Sequence, residues 1–233
     1  MKSLAITASF LIASGAWAAD QPKAAERLND AAAVLSEVMA TPDKAIPQEL
    51  FEKAECVIII PSMKKAAFVV GGEYGRGFAE CRNPSGTGWG APAAVRMEGG
   101  SVGFQIGGSA TDLIMLVMNK RGMQHLLGDK FTLGADASLA AGPVGRTANA
   151  NTDVKLNAEI LAWSRSKGLF AGVSLNGATL RPDTDRDAEL YGRKVNNREI
   201  LMGSVTAPPD AHALTAQLDK YSSRSNNADR SGH

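Results

Sequence analysis

Apolar residues recur at helical spacing only near the two ends of this chain; between the ends they fall into short β-branched or alternating runs separated by glycine. Leu28, Ala32, Leu35 and Met39 share one helical face over residues 21–40, with Glu26, Arg27, Asp30 and Glu37 elsewhere. The spacing predicts an amphipathic helix stopped at Thr41-Pro42, where the residue before proline is pushed out of the helical region. Pro47 suits a first helical turn and predicts a second, short helix to Glu55. Residues 57–60 are a continuous valine–isoleucine run, the signature of a strand covered on both faces. Pro61-Ser62 then reads as a turn.

Strands are predicted at 66–71, 74–82 and 89–97, with a turn at 83–86. Glu98-Gly99-Gly100-Ser101 reads as a tight hairpin into 102–106. Residues 112–118 are apolar on both faces and predict a central strand. A helix is predicted over 119–127, ended by Gly128, followed by a strand at 131–140. Alternation of Val154, Leu156, Ala158 and Ile160 with Lys155, Asn157 and Glu159 predicts a half-exposed strand to 163, and 169–180 reads as the last long strand. Short helices are predicted at 185–191 and 197–202, and a last one at 210–221. Residues 222–233 are polar and predicted to be disordered. Short strands at this spacing imply an α+β fold: a twisted antiparallel, barrel-like β-sheet flanked by N- and C-terminal helices. Glycines beside the strands mark either sheet corners and close backbone approach or a backbone that meets a ligand.

The first residues change the picture. Lys2, an apolar stretch over 4–16 and the small-x-small sequence Ala16-Trp17-Ala18 form a signal-peptide pattern over residues 1–18. No cysteine adjoins the cleavage site, so no lipoprotein anchor is expected there. No later apolar run reaches the roughly 18 residues of a membrane span. The expected location is the periplasm, with a domain over 20–203 and a C-terminal helix and tail over 204–233. In an oxidising compartment Cys56 and Cys81 suggest one disulfide; two buried thiols at strand ends fit the sequence equally well. With 25 basic and 24 acidic residues, the chain lacks the dense basic footprint of a nucleic-acid binder.

Candidate chemistry is sparse. Gly99-Gly100-Ser101-Val102-Gly103 matches the G-x-S-x-G pattern of a hydrolase nucleophile elbow, but the elbow needs a strand, a strained turn and a helix, and here a strand follows. The histidines, His125, His212 and His233, are scattered and make no metal-ligand spacing with the cysteines. No helix opens after residues 71–77, so those glycines are no dinucleotide fingerprint. Asp112 and Asp153 follow threonines at strand starts, where local backbone capping explains them. No cofactor and no catalytic residue is expected. Basic residues do cluster at loop positions: Lys64, Lys65, Arg76, Lys120, Arg121, Lys130 and Arg146, then Arg165 and Lys167. Sharing one face, they would hold a phosphate or lipid headgroup by charge-assisted hydrogen bonds, and the turn at 142–146 could add backbone N–H donors.

In order along the chain, residues 60–66 (IPSMKKA), 71–77 (GGEYGRG), 103–107 (GFQIG), 134–138 (GADAS), 141–146 (AGPVGR) and 166–175 (SKGLFAGVSL) resemble the SYLF domain family, known in its fungal members as an actin-binding domain. The resemblance runs from about residue 25 to 203. It implies a non-enzymatic lipid-binding module: eukaryotic relatives engage phosphoinositide membranes through a basic surface and an amphipathic N-terminal helix, and some bind actin filaments. This chain carries no SH3 or FYVE-like segment, and its first helix is not strongly basic. Its signal peptide would take it away from actin, so actin is not expected as a partner. The expected function is phospholipid-headgroup binding at the bacterial envelope. The alternatives are a periplasmic scaffold for an envelope protein and, with less support, a serine hydrolase using Ser101.

Overall fold

The computed structural model describes residues 23–40, 45–67, 70–85, 88–102, 107–145, 158–166 and 169–222, with backbone alone for 65–67, 70–71, 101–102 and 107–109. The signal-peptide pattern, Arg146, Asp153, Lys167 and the C-terminal tail lie outside them. Helices α1 (Ala24–Met39) and α2 (Gln48–Lys53) precede strands β1 (Cys56–Ala67), β2 (Val70–Cys81), β3 (Ala93–Val102) and β4 (Gly107–Val117). Helix α3 (Lys120–Leu126) leads to β5 (Phe131–Thr132), β6 (Leu139–Ala141), β7 (Ile160–Ser166), β8 (Leu169–Gly172) and β9 (Thr179–Pro182). Helices α4 (Thr184–Tyr191), α5 (Asn197–Leu201) and α6 (His212–Ser222) follow.

The strands form one sheet in the order β5-β9-β3-β2-β1-β4-β7-β6, with β8 also on β7. All pairs are antiparallel except β6 with β7. Opposite ends of this path carry β5 and β6, yet only residues 133–138 separate them in the chain, a reach of about 25 Å at most. The sheet therefore curls into a half-barrel, and the fold is α+β with helices at both ends, as the pattern of short strands implies.

Both faces of the sheet are covered, which is why β1 reads as an unbroken apolar run. Ile58, Ile60, Met97, Leu113, Met115 and Leu180 fill the inside of the curl with Leu126, Phe131 and Leu201. Val57, Ile59, Phe78, Ile114, Leu116 and Trp163 point the other way, under Leu28 and Leu35 of α1, Phe51 of α2 and Leu214 and Leu218 of α6. Each large side chain buried this way contributes about 1.5–3 kcal/mol. Helix α6 thus shares one core with α1, and its last residue is pinned: Trp89 Nε1 donates to Ser222 Oγ at 2.9 Å.

Several expected boundaries moved. Pro61-Ser62 does not turn the chain; it is a bulge inside β1, where the register against β4 shifts between Ile60 and Met63. Ser62 adopts φ 50° there, and its N–H donates to Asp112 Oδ1 at 2.9 Å in place of a ladder bond. A bulge is one of the few sheet positions that accept proline. Nor is there a hairpin at 98–101: β3 runs through it, with Gly99 opposite Glu73 and Gly100 opposite Gly72. The strand expected at 131–140 is broken into β5 and β6 around a turn with Gly134 at φ 80°, and the one expected at 169–180 is split into β8 and β9 around Gly177 at φ 86°.

For the two glycines at the bulge, the structure selects the close-approach reading. A Cβ at Gly77 would overlap the Ile59 carbonyl oxygen and lie 2.7 Å from Ile60 Cα; one at Gly75 would lie 2.5 Å from Ile60 Cγ2. Cys56 and Cys81, opposite each other in β1 and β2, are joined by a disulfide.

Three outcomes follow for stability. Gly77→Ala should cost about 3 kcal/mol or more in urea unfolding, or prevent folding, because backbone must move. Gly100→Ala, with nothing among the described residues within 4 Å of the new methyl, should change stability by no more than about 0.5 kcal/mol. Reducing the disulfide should lower the unfolding free energy by about 3 kcal/mol, since it closes a loop with 25 residues of sequence separation.

Candidate functional site

Register builds a charged row across the outer, helix-bearing face of the sheet. Arg181 of β9 lies opposite Arg96 of β3, and Arg96 lies opposite Arg76 of β2. The Pro61-Ser62 bulge of β1 comes next, then Asp112 of β4 opposite Arg165 of β7. The row marks a boundary: on one side the face is apolar and covered by α1, α2 and α6, and on the other Gly72, Tyr74, Gly100 and Ala110 are exposed.

Neighbouring strands are about 4.8 Å apart, and like charges placed directly opposite repel. The arginine row is held by carboxylates on its flanks. Glu98 takes Arg96 at 3.3 Å and Arg181 at 3.0 Å, and Asp183 takes Arg76 at 3.0 Å. The guanidinium of Arg76 also bonds the Tyr74 hydroxyl and lies 5.7 Å from the centre of its ring. These three arginines keep 22, 30 and 32% of their side-chain surface exposed, so three cations face outward over two carboxylates. Further cations close in from the helices. Arg27 of α1 donates to the Arg76 carbonyl at 3.3 Å. Burial pushes the Arg27 guanidinium down; Asp30 opposes this, while Arg186 and Arg76 add to it. Arg186 is paired with Glu189, whose carboxyl is held below its usual range first by the Ala24 N–H and then by Arg186 and Lys23.

At the other end of the row, Arg165 donates to Asp112 Oδ2 from Nε at 2.9 Å and from Nη2 at 2.7 Å, and its Nη1 pairs with Glu37 of α1. The carboxylate contacts hold this guanidinium above its usual value despite burial. Asp112 is therefore a structural carboxylate joining the bulge, β7 and α1.

The basic residues singled out from sequence divide between two ends. Lys64 is exposed, opposite Tyr74 and near the arginine row, and Lys65 lies opposite Glu73. Lys130 is exposed and precedes Phe131, whose partner Leu180 adjoins Arg181. Lys120 and Arg121 sit on α3 beyond Val117, about 23 Å along β4 from the residue opposite Lys64. Arg121 there lies 3.5 Å from Glu159. The turn after β6 offers no anion cradle from its glycines: the Gly142 N–H goes to the Ala162 carbonyl and the Gly145 N–H to that of Ala45. Ser101 lies within β3, opposite Gly71, without the strand–turn–helix that a nucleophile elbow needs. Sequence reasoning missed Arg96 and Arg181. Their strands alternate as expected, but which arginine faces which depends on pairing that periodicity does not carry.

Among the described residues, no group of histidine, cysteine, aspartate and glutamate could hold a metal ion, and no helix is long and apolar enough to cross a membrane.

Comparison with known proteins places the fold. The family model described as Ysc84, Las17-binding protein actin regulator, matches residues 98–221. The SH3 domain-containing YSC84-like protein 1 of Bos taurus is 33% identical over 184 residues, covering 78% of this chain and 53% of that protein. Its Homo sapiens counterpart is 33% identical over 187 residues, covering 80% and 54%. Protein YSC84 of Saccharomyces cerevisiae is 33% identical over 194 residues, covering 82% and 40%. The chain spans about half the length of the curated relatives it matches first. With the family model covering more than half of the sequence, this chain belongs to the Ysc84 (SYLF) family.

Proposed function

We propose that this chain is a non-catalytic module of the bacterial envelope, exported to the periplasm, that binds anionic phospholipid headgroups with the outer face of its sheet. The observation that carries the reading is the in-register row Arg76, Arg96 and Arg181, part-exposed beside Tyr74 and bordered by Lys64 and Lys130. Guanidinium groups present paired donors that match phosphate oxygens. A rigid strand fixes their spacing, so little order has to be imposed on binding. Lys120 and Arg121 are left out of this surface, because they lie at the opposite end of β4.

A second reading has its own support. The matched family is described as a Las17-binding protein and actin regulator, which favours a protein partner for the same face. In the periplasm that partner would be an envelope protein rather than actin.

Vesicle flotation separates the two. Full-length chain should float with vesicles containing phosphatidylglycerol at low salt and stay behind with phosphatidylcholine alone. The double variant Arg96→Gln/Arg181→Gln should lose about 2 kcal/mol, roughly thirtyfold in partitioning, at about 1 kcal/mol per cation. No flotation at low salt, or a double variant that floats like the parent, would remove the lipid reading. A single dominant protein adduct on crosslinking in cells would then favour the scaffold.

A further inference from the structure

Beneath the arginine row lies a buried polar knot that binds α4 and α5 to β3, and Ala94 is its hub. The Ala94 N–H donates to Asp187 Oδ1 at 2.7 Å. Its carbonyl accepts the Asp183 N–H at 3.0 Å and Asn197 Nδ2 at 2.8 Å. Asp183 and Asp187 are 0% exposed and Asn197 is 4% exposed. Among the described residues, four acceptors of the knot lack a hydrogen-bond donor: Asp183 Oδ1 and Oδ2, Asp187 Oδ2 and Asn197 Oδ1. Arg76 makes an ion pair with the knot, its Nε 3.0 Å from Asp183 Oδ2.

A surplus of buried acceptors is costly, and so is a second buried negative charge beside the first. One proton relieves both, because a neutral carboxyl supplies an O–H donor and removes a charge. We propose that Asp187, buried beside Asp183, holds a proton that fastens α4 and α5 to β3, so that folding of this layer takes up a proton and its hold weakens as pH rises to neutrality. The inference goes beyond the surface reading and does not depend on it.

The surroundings agree in direction. Burial pushes the Asp187 carboxyl up to about 7; the Ala94 N–H pulls it down and Asp183 pushes it further up. Glu80 of β2 is fully buried and held well above the usual range by burial, with the Thr215 hydroxyl of α6 opposing and Asp219 adding. Burial, Asp187 and Glu80 raise the phenol of Tyr191 on α4, whose O–H donates to the Pro92 carbonyl at 2.7 Å. Cations on this side are Arg76 of β2, Arg96 of β3, Arg181 of β9, Arg27 of α1 and Arg186 of α4, with Glu98, Asp30 and Glu189 as their acidic neighbours. A carboxyl raised on folding binds more protons in the folded chain, so its stabilisation is complete below the unfolded value and is lost as pH rises through the folded one.

Urea unfolding of the full chain and of Asp187→Asn at pH values from about 5 to 8.5 tests this. The amide mimics the neutral carboxyl. The ratio of folding constants, variant over parent, should rise about tenfold per pH unit from 5 to 7 and flatten above. A ratio independent of pH would overturn the proposal. So would calcium ions that bring the parent up to the variant at high pH, since the knot would then hold a cation. Should the variant fail to fold, carbon-13 NMR of aspartate carboxyls in the parent decides. One carboxyl titrating near 7 supports the proton; none above about 6 overturns it.

Discussion

Ile59 and Ile60 press directly on the backbone of β2, and only Gly77 and Gly75 leave room for them. This approach occurs where β1 carries the extra residue of the Pro61-Ser62 bulge. A bulge adds bend and twist to the strand that carries it, and here that strand lies at the centre of the sheet. The curl encloses one core and offers a convex back to α1, α2 and α6 for the other. The same bulge marks where the helical cover ends: beyond it the outer face changes from Ile59 and Phe78 to Lys64 and Tyr74.

The charged row belongs to that boundary. Arg76 and Asp112 flank the bulge on its two neighbouring strands, and each ties the sheet to a helix. Arg76 reaches Asp183 at the start of α4 and, through its carbonyl, Arg27 of α1. Asp112 holds Arg165, which holds Glu37 near the other end of α1. Surface ion pairs contribute little singly. Here the carboxylates also prevent repulsion among arginines placed side by side by register. What remains outward is a spaced set of guanidiniums on rigid strands.

Much of the scaffold was legible in sequence, and the reasons are local. Leu28, Leu35 and their helical spacing announce α1, and the β-branched run at 57–60 announces a strand buried on both faces. Pro61-Ser62 misled because proline and serine signal a turn; that they form a bulge depends on Gly75 and Gly77 lying opposite, a contact between distant residues. Glu98-Gly99-Gly100-Ser101 misled likewise, since a glycine pair looks the same in a hairpin and in a strand facing Gly72. The basic surface was half legible. Its residue types and the places of Lys64 and Arg76 could be read, but Arg96 and Arg181 join only through register, and Lys120 and Arg121 depart because β4 carries them to the far end. The Ala94 knot left no sequence signal, as Asp183, Asp187 and Asn197 look like ordinary helix-start residues.

On this account the chain works by presenting a spaced set of cations at the edge of its helical cover. Amide hydrogen exchange of the full chain, with and without phosphatidylglycerol vesicles, locates that surface directly. Protection should appear on β2, β3 and β9 around Arg76, Arg96 and Arg181, with α3 unchanged. Protection confined to α3 around Lys120 and Arg121, or none anywhere, would contradict the account.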